Sequence, residues 1–158
     1  MKLILRITLI LSILVVIIGC DQISKNVARR YLTYNSPVDV INGKIILLKI
    51  ENSGAFMSLG SNVPSSLKFV ILTIIPFIGI AVATCYILLN TKLFNLHLLG
   101  CCFLIGGGIG NLYDRLIFGS VTDFIYVELL NIRTGIFNLA DIYIVIGTLI
   151  TIFKIINR

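Results

Sequence analysis

Seven carboxylates and a single histidine supply the acid–base chemistry of this chain, beside 13 Lys and Arg. Three of the acids, Asp114, Asp123 and Asp141, stand in or beside strongly apolar sequence. An ionisable group at membrane depth costs a few kcal/mol, so each is a functional candidate. Two aspartates brought close in an apolar site cannot both ionise, so they share a proton. One then activates water while the other donates to a substrate carbonyl. Asp123 alone also reads as a solvated loop residue. Asp141 is harder to place that way, because it begins an apolar run with no basic residue before Lys154. Asn138 can cap a helix there without a second acid three residues on. Spacing by itself does not choose between these readings.

Other chemistries are poorly supplied. His97 is alone, which disfavours a zinc or two-metal site built on imidazole. No cofactor is expected. Cys20, Cys85, Cys101 and Cys102 lie in apolar stretches without a C-x-x-C pair and read as buried free thiols. The basic residues are scattered singly, which disfavours nucleic acid as a partner. Ser65-Ser66-Leu67-Lys68 contains S-x-x-K, a nucleophile pair in other families. The plainer reading has Ser65 or Ser66 capping a helix while Lys68 snorkels. An ion path through Asp114, Asp123 and Asp141 is a further alternative, but no internal repeat supports a transporter.

The elements that must position these groups follow from composition. The chain has 158 residues, 58% hydrophobic and 13% charged, with a mean hydropathy of +1.04. Soluble domains run at about 45–50% apolar and about 25% charged. Soluble globules, disordered tails and collagen-like fibres are therefore excluded. A span needs about 20 apolar residues, and four stretches qualify, at about 3–22, 69–91, 93–113 and 138–156. Arg6 is expected to snorkel outward from the first, and Pro76 to kink the second. The expected fold is a single all-α membrane domain over residues 1–158, with four transmembrane helices. A small interfacial β-sheet in 31–64 and an interfacial loop at 114–137 complete it.

Four spans put both termini on one face, with Lys2, Arg6, Lys92, Lys154 and Arg158; the other face takes the remaining basic residues and every acid. The Lys and Arg count does not orient the chain by the positive-inside rule. It does put any acid–base chemistry on the face opposite the termini. There, Val38–Ile41 and Lys44–Glu51 flank Asn42-Gly43, the favoured type I′ hairpin turn. The second strand is apolar enough to rest on the membrane, where it would clamp a substrate or shield a site. Asp123–Glu128 also favours an extended element.

Polar clusters punctuate the apolar pattern. Asp21 and Lys25 stand at i,i+4 in the favourable order and read as a structural pair. Gly106-x-x-x-Gly110 reads as a close-packing face. Asn111, Asp114 and Arg115 share one end of the third span, with Asp114 and Arg115 expected to satisfy each other.

Five segments, D-Q-I-S-K (Asp21–Lys25), N-S-G-A-F (Asn52–Phe56), G-G-x-G-N-x-x-D-R (Gly107–Arg115), V-T-D-F (Val121–Phe124) and F-N-L-A-D (Phe137–Asp141), stand in one order along the chain. In that order, and with four spans, the chain resembles the lipoprotein signal peptidase (signal peptidase II) family. The resemblance implies a bacterial plasma-membrane aspartic endopeptidase that cuts prolipoproteins before a diacylglyceryl-modified cysteine. It implies Asp123 and Asp141 as the catalytic dyad. Asn52, Gly54, Gly107, Asn111, Arg115 and Asn138 become substrate-binding or support residues, and Asp21, Lys25 and Asp114 structural ones. It further implies a cofactor-free enzyme in contact with membrane lipid, read as a monomer, with cytoplasmic termini and an active site near the extracytoplasmic surface. One rival segment, Ile17-Ile18-Gly19-Cys20, resembles a lipobox. Cleavage there would delete a whole span.

Overall fold

Helix α1 (Leu3–Tyr31) buries Arg6, Ile10, Ile17, Asp21, Lys25 and Ala28. These positions recur at steps of three, four or seven residues and so form one stripe. Outside the stripe the helix surface is apolar, with Ile4, Val15 and Ile23 facing outward. That outward apolarity is what lipid requires. After Arg6 the stripe is apolar at Ile10 and Ile17 and turns ionic at Asp21 and Lys25.

The structure is a computed structural model that describes residues 3–34, 36–54, 64–91, 96–129 and 132–157. Lys2, Lys92 and Arg158, the Ala55-Phe56 end of the second motif, and 93–95 of the third expected span lie outside the described residues. Among the described residues, four helices are long and apolar enough to cross a membrane: Leu3–Tyr31, Ser65–Leu89, Leu96–Phe118 and Leu139–Ile156. The molecule is a mostly helical membrane protein that also carries a four-stranded antiparallel sheet.

The first and third helices run further than the apolar stretches alone indicate, to Tyr31 and Phe118. Their polar ends pair with each other inside the protein, so the helices have no reason to stop at the first charge. The second span starts as α2 (Ser65–Phe69), widens into a π-helical turn at Val70–Ile74 and continues as α3 (Ile75–Leu89). Pro76 cannot donate a helical hydrogen bond, and the widened turn lies immediately before it. The serine-cap expectation is corrected here. Pro64 occupies the cap position of α2, and no side chain caps it.

Arg6 is a second correction. It does not snorkel outward. Its guanidinium is buried and donates to the carbonyls of Ile87 and Asn90, both at 3.0 Å, and of Thr91 at 3.5 Å. Helix ends leave carbonyls without intrahelical partners, and an arginine that satisfies three of them at the end of α3 gains more than one reaching for solvent. Around it, Ile10, Ile87, Leu98, Cys102 and Ile105 form the apolar core. The cysteine expectation is half corrected: Cys101 and Cys102 are buried, but Cys20 and Cys85 are exposed on the outer surface of the helices.

Helix α4 (Leu96–Phe118) lies between α1 and α5 (Leu139–Ile156), and its glycines let it do so. A methyl group at Gly106 would run into Ile17 of α1, and one at Gly110 into the carboxylate of Asp21. Gly107 faces the other way, where an added Cβ would meet the Ala140 carbonyl oxygen at 2.5 Å.

The strands form one sheet in the order β1 (Val38–Asp39), β2 (Ile45–Asn52), β3 (Val121–Leu129) and β4 (Ile132–Arg133), antiparallel throughout. Asn42 and Gly43 both have positive φ, and Lys44 N–H bonds back to the Ile41 carbonyl at 2.7 Å, which closes the hairpin turn. The Asp39 carboxylate accepts from Gly43 N–H and holds that turn. Pairing of β3 with β2 is the feature that local pattern does not reveal. Across them Ile50 opposes Asp123, Glu51 opposes Thr122 and Asn52 opposes Val121.

Gly107→Ala should lower thermal stability in detergent by about 1–3 kcal/mol, because the atom it meets is backbone that cannot give way. Gly79→Ala has open space around its Cβ and should leave the melting temperature unchanged or slightly raised. Equal behaviour of the two variants would show that α4 and α5 tolerate separation.

Candidate functional site

Strand alternation sorts the polar residues of β2 and β3 onto two faces. Asn52, Val121 and Asp123 share one face and line a cavity of about 290 Å³ with Asn111, Arg115 and Asp141. Glu51 and Thr122 share the opposite face, directed at α1. There the Thr122 hydroxyl donates to Glu51 at 3.0 Å and accepts from Arg29 Nε at 2.8 Å.

Asp123 is 3% exposed, and both of its oxygens are engaged. Asn52 Nδ2 donates to Oδ2 at 2.8 Å, and Asn138 Nδ2 donates to Oδ1 at 2.6 Å. Asn138 arrives there because Phe137 pairs with Ile125 through two backbone hydrogen bonds of 2.9 Å, antiparallel to β3. The next residue is thereby laid beside Asp123. Asn138 also caps α5: its Oδ1 accepts from Asp141 N–H at 3.1 Å, while its own N–H donates to Asp141 Oδ2 at 3.2 Å. One asparagine thus touches both aspartates. Asp141 Oδ1 in turn accepts from Asn111 Nδ2 at 2.8 Å.

Behind Asn111 lies an ionic cluster whose Asp21, Lys25 and Asp114 are fully buried. Lys25 Nζ reaches Asp21 at 2.8 Å, Asn111 Oδ1 at 2.9 Å and Asp114 at 3.3 Å. An ammonium has three N–H donors, and each has a partner. Arg29 pairs with Asp114 at 2.9 Å, and Gln22 Nε2 donates to Asp114 and to Asp21 at 3.1 Å each. The expected Asp114–Arg115 pair is corrected by this arrangement. Neighbours one residue apart on a helix point in different directions, so Asp114 turns to α1 while Arg115 turns to the cavity. Arg115 Nη2 donates to the Gly54 carbonyl at 3.3 Å, and Gly54 N–H donates to Asn52 at 2.9 Å. Asp21 reaches across to α5, accepting from Ala140 N–H at 3.0 Å.

The structure therefore gathers Asn52, Asn111, Arg115, Asp123 and Asp141 around one cavity, with Asn138 bonded to both aspartates and Gly54 bonded to Asn52 and Arg115. Asp21, Lys25 and Asp114 stand behind the cavity. Gly107 does not line the cavity and instead packs closely against Ala140 and Ile144. Arg29, Thr122, Glu51 and Gln22 were not singled out by sequence as parts of the site. Arg29 carried a signal, since it continues the four-residue steps from Asp21 and Lys25.

Burial pushes the Asp123 carboxyl up to about 6 from its usual 3.8. The Asn52 hydrogen bond opposes that rise, the Asp141 charge adds to it, and the Asn138 bond and Lys25 charge oppose it further. Two more cavities meet the aspartates. One, of about 310 Å³, runs from Asp141 along Phe137, Ile142, Val145 and Ile146 and is almost wholly apolar. Another, of about 270 Å³, opens on the sheet side and shares Asn52 and Asp123.

Comparison with known proteins gives a consistent picture. A family model described as signal peptidase (SPase) II matches residues 13–157. A lipoprotein signal peptidase of Aquifex aeolicus (strain VF5) is 37% identical over 147 residues, covering 92% of this chain and 84% of that protein. The lipoprotein signal peptidase of Clostridioides difficile (strain 630) is 33% identical over 140 residues, covering 89% of each. A solved structure described as a bacterial membrane enzyme superposes with a TM-score of 0.83 at 25% identity, over 96% of this chain and 89% of that one.

Two stability predictions follow from the geometry. Lys25→Met strands two buried carboxylates and should cost about 3–5 kcal/mol, read as a lower melting temperature in detergent; a shift below 1 kcal/mol would mean the cluster is hydrated. Asp123 has a raised pKa in the fold, so its contribution to stability is present below its unfolded pKa of 3.8 and is lost as pH rises through about 6. Relative to Asp123→Asn, the unchanged protein should lose up to roughly 3 kcal/mol between pH 4 and pH 7. Parallel pH profiles would contradict that.

Proposed function

Because the chain belongs to the signal peptidase II family, a family of membrane peptidases, we propose that it removes signal peptides from prolipoproteins by cutting before a diacylglyceryl-modified cysteine, with Asp123 and Asp141 as an aspartic dyad. The observation that carries this reading is the single asparagine, Asn138, hydrogen-bonded to both carboxylates, which themselves line one cavity.

Charge bookkeeping supports a shared proton. Behind the cavity, Lys25 and Arg29 balance Asp21 and Asp114. In front, among the described residues, Arg115 is the cation that lines the cavity with Asp123 and Asp141. One proton on the pair makes that group neutral, which a desolvated site favours. Asp123, with its carboxyl raised to about 6, carries that proton and donates it to the scissile carbonyl. Asp141 then serves as the base that activates water. Arg115 lines the same cavity, where its charge would steady the oxyanion that develops. Asn52, Asn111 and Asn138 hold the carboxylates in place.

The substrate's chemistry fits the surroundings. Its cysteine carries two acyl chains, which hold the scissile bond at headgroup depth. The apolar groove along Phe137, Ile142, Val145 and Ile146 begins at Asp141 and suits such a chain. On this reading the termini are cytoplasmic, the membrane is a bacterial plasma membrane and the site lies near its outer surface.

The test is cleavage of a diacylglyceryl-modified precursor peptide, followed by mass measurement of the products. Asp123→Asn and Asp141→Asn should each lose about 10²–10⁴-fold in kcat, and the double variant should be little worse than either. The kcat/KM profile should be bell-shaped, its values belonging to the pair. Its alkaline limb should fall as pH rises through about 6, where the pair loses its shared proton. Near-normal cleavage by either variant in membrane-inserted protein would refute the dyad.

A further inference from the structure

Lys68, the basic half of the S-x-x-K sequence, takes no part in the dyad cavity. It lines a separate space of about 300 Å³, together with Ser53, Ser65, Thr73 and Arg115. The residue is half-buried overall, and among the described residues the ion pairs belong to Lys25, Arg29 and Arg133 rather than to it. Arg115, the second cation here, uses one of its five donors on the Gly54 carbonyl. The carboxylate nearest along the chain, Asp114, is turned away and held by Lys25 and Arg29. Among the described residues no acid lines the space. Two cations and three hydroxyls do, and that donor set is complementary to a compact oxyanion.

Depth narrows the choice of anion. Lys68 stands near the start of the second span and Arg115 near the end of the third, at the same end of the bundle as Asp141 at the start of α5. An anion held by both lies at the boundary of the hydrocarbon, where phosphate is the abundant charge on phospholipid. Arg115 and Leu72 also line the dyad cavity, so the two spaces share a wall.

We propose that this separate cavity is a phosphate site, in which Lys68 and Arg115 together grip the phosphate of a phospholipid headgroup or a free phosphate ion. A headgroup held there ties the depth of the neighbouring carboxylates to the plane of the lipid phosphates. Binding here does not rest on the peptidase reading.

The test uses the full chain in a neutral maltoside detergent, with binding rather than cleavage as the readout. Phosphatidylglycerol retention is measured by native mass spectrometry, and inorganic phosphate by ³¹P titration. Diacylglycerol of the same acyl chains serves as the probe that lacks phosphate. Phosphatidylglycerol should bind in preference to diacylglycerol, and Lys68→Gln should weaken it at least about tenfold, the loss of one charge-assisted hydrogen bond. Lys154→Gln, an equal charge change at the other end of the bundle, should leave binding as it was. Inorganic phosphate bound with the same Lys68 dependence, without lipid retention, would support the site and assign it to the free ion. Equal binding by the Lys68→Gln variant, an equal loss in Lys154→Gln, or no binding of either probe would overturn the proposal. Melting curves of both variants confirm that each is folded.

Discussion

The buried ammonium of Lys25 is the constraint on which the remainder of the molecule depends. It is fully enclosed, and its three donors go to Asp21 on its own helix and to Asn111 and Asp114 on α4. An ammonium in a desolvated interior is tolerable only when paired and hydrogen-bonded, so α1 and α4 have little freedom to slide. Gly110 is part of the same arrangement, because only a residue without a side chain leaves room for the Asp21 carboxylate. Through its other oxygen Asp21 takes the Ala140 N–H, which fixes the start of α5. One ion pair thereby sets three helices.

The same cluster carries order outward into the sheet. Asp114 accepts from the backbone N–H of Thr122 at 3.2 Å, and Arg29 bonds the Thr122 hydroxyl. Thr122 faces α1 and Asp123 faces the cavity because consecutive strand residues point to opposite sides. Holding Thr122 therefore aims Asp123. Pairing with β2 then supplies Asn52 as a diagonal neighbour on the same face, a standard reach across an antiparallel pair.

Asn138 shows how little separates architecture from chemistry here. Its side chain begins α5 by a reciprocal capping box with Asp141, a device that ordinarily stabilises a helix start. Its amide nitrogen is free for Asp123 because its oxygen is the capping atom. Helix initiation and carboxylate placement are thus one set of hydrogen bonds. A change that relaxes the cap also moves the carboxylates.

Much of this was legible in the residues alone. Four apolar stretches of span length, the Asn42-Gly43 turn, the close-packing glycines and the Asp21–Lys25 pair are consequences of composition and short-range spacing, which local physics governs. The tertiary structure decided who partners whom. Arg6 turned from lipid to the carbonyls of Ile87 and Asn90, Asp114 chose Lys25 and Arg29 over Arg115, and the 121–129 strand joined the hairpin as one sheet. Asn138 became the bridge between two aspartates 18 positions apart. Each of these is a long-range choice in a desolvated interior, where a polar group must find a partner and the nearest in sequence is seldom the one its geometry can reach.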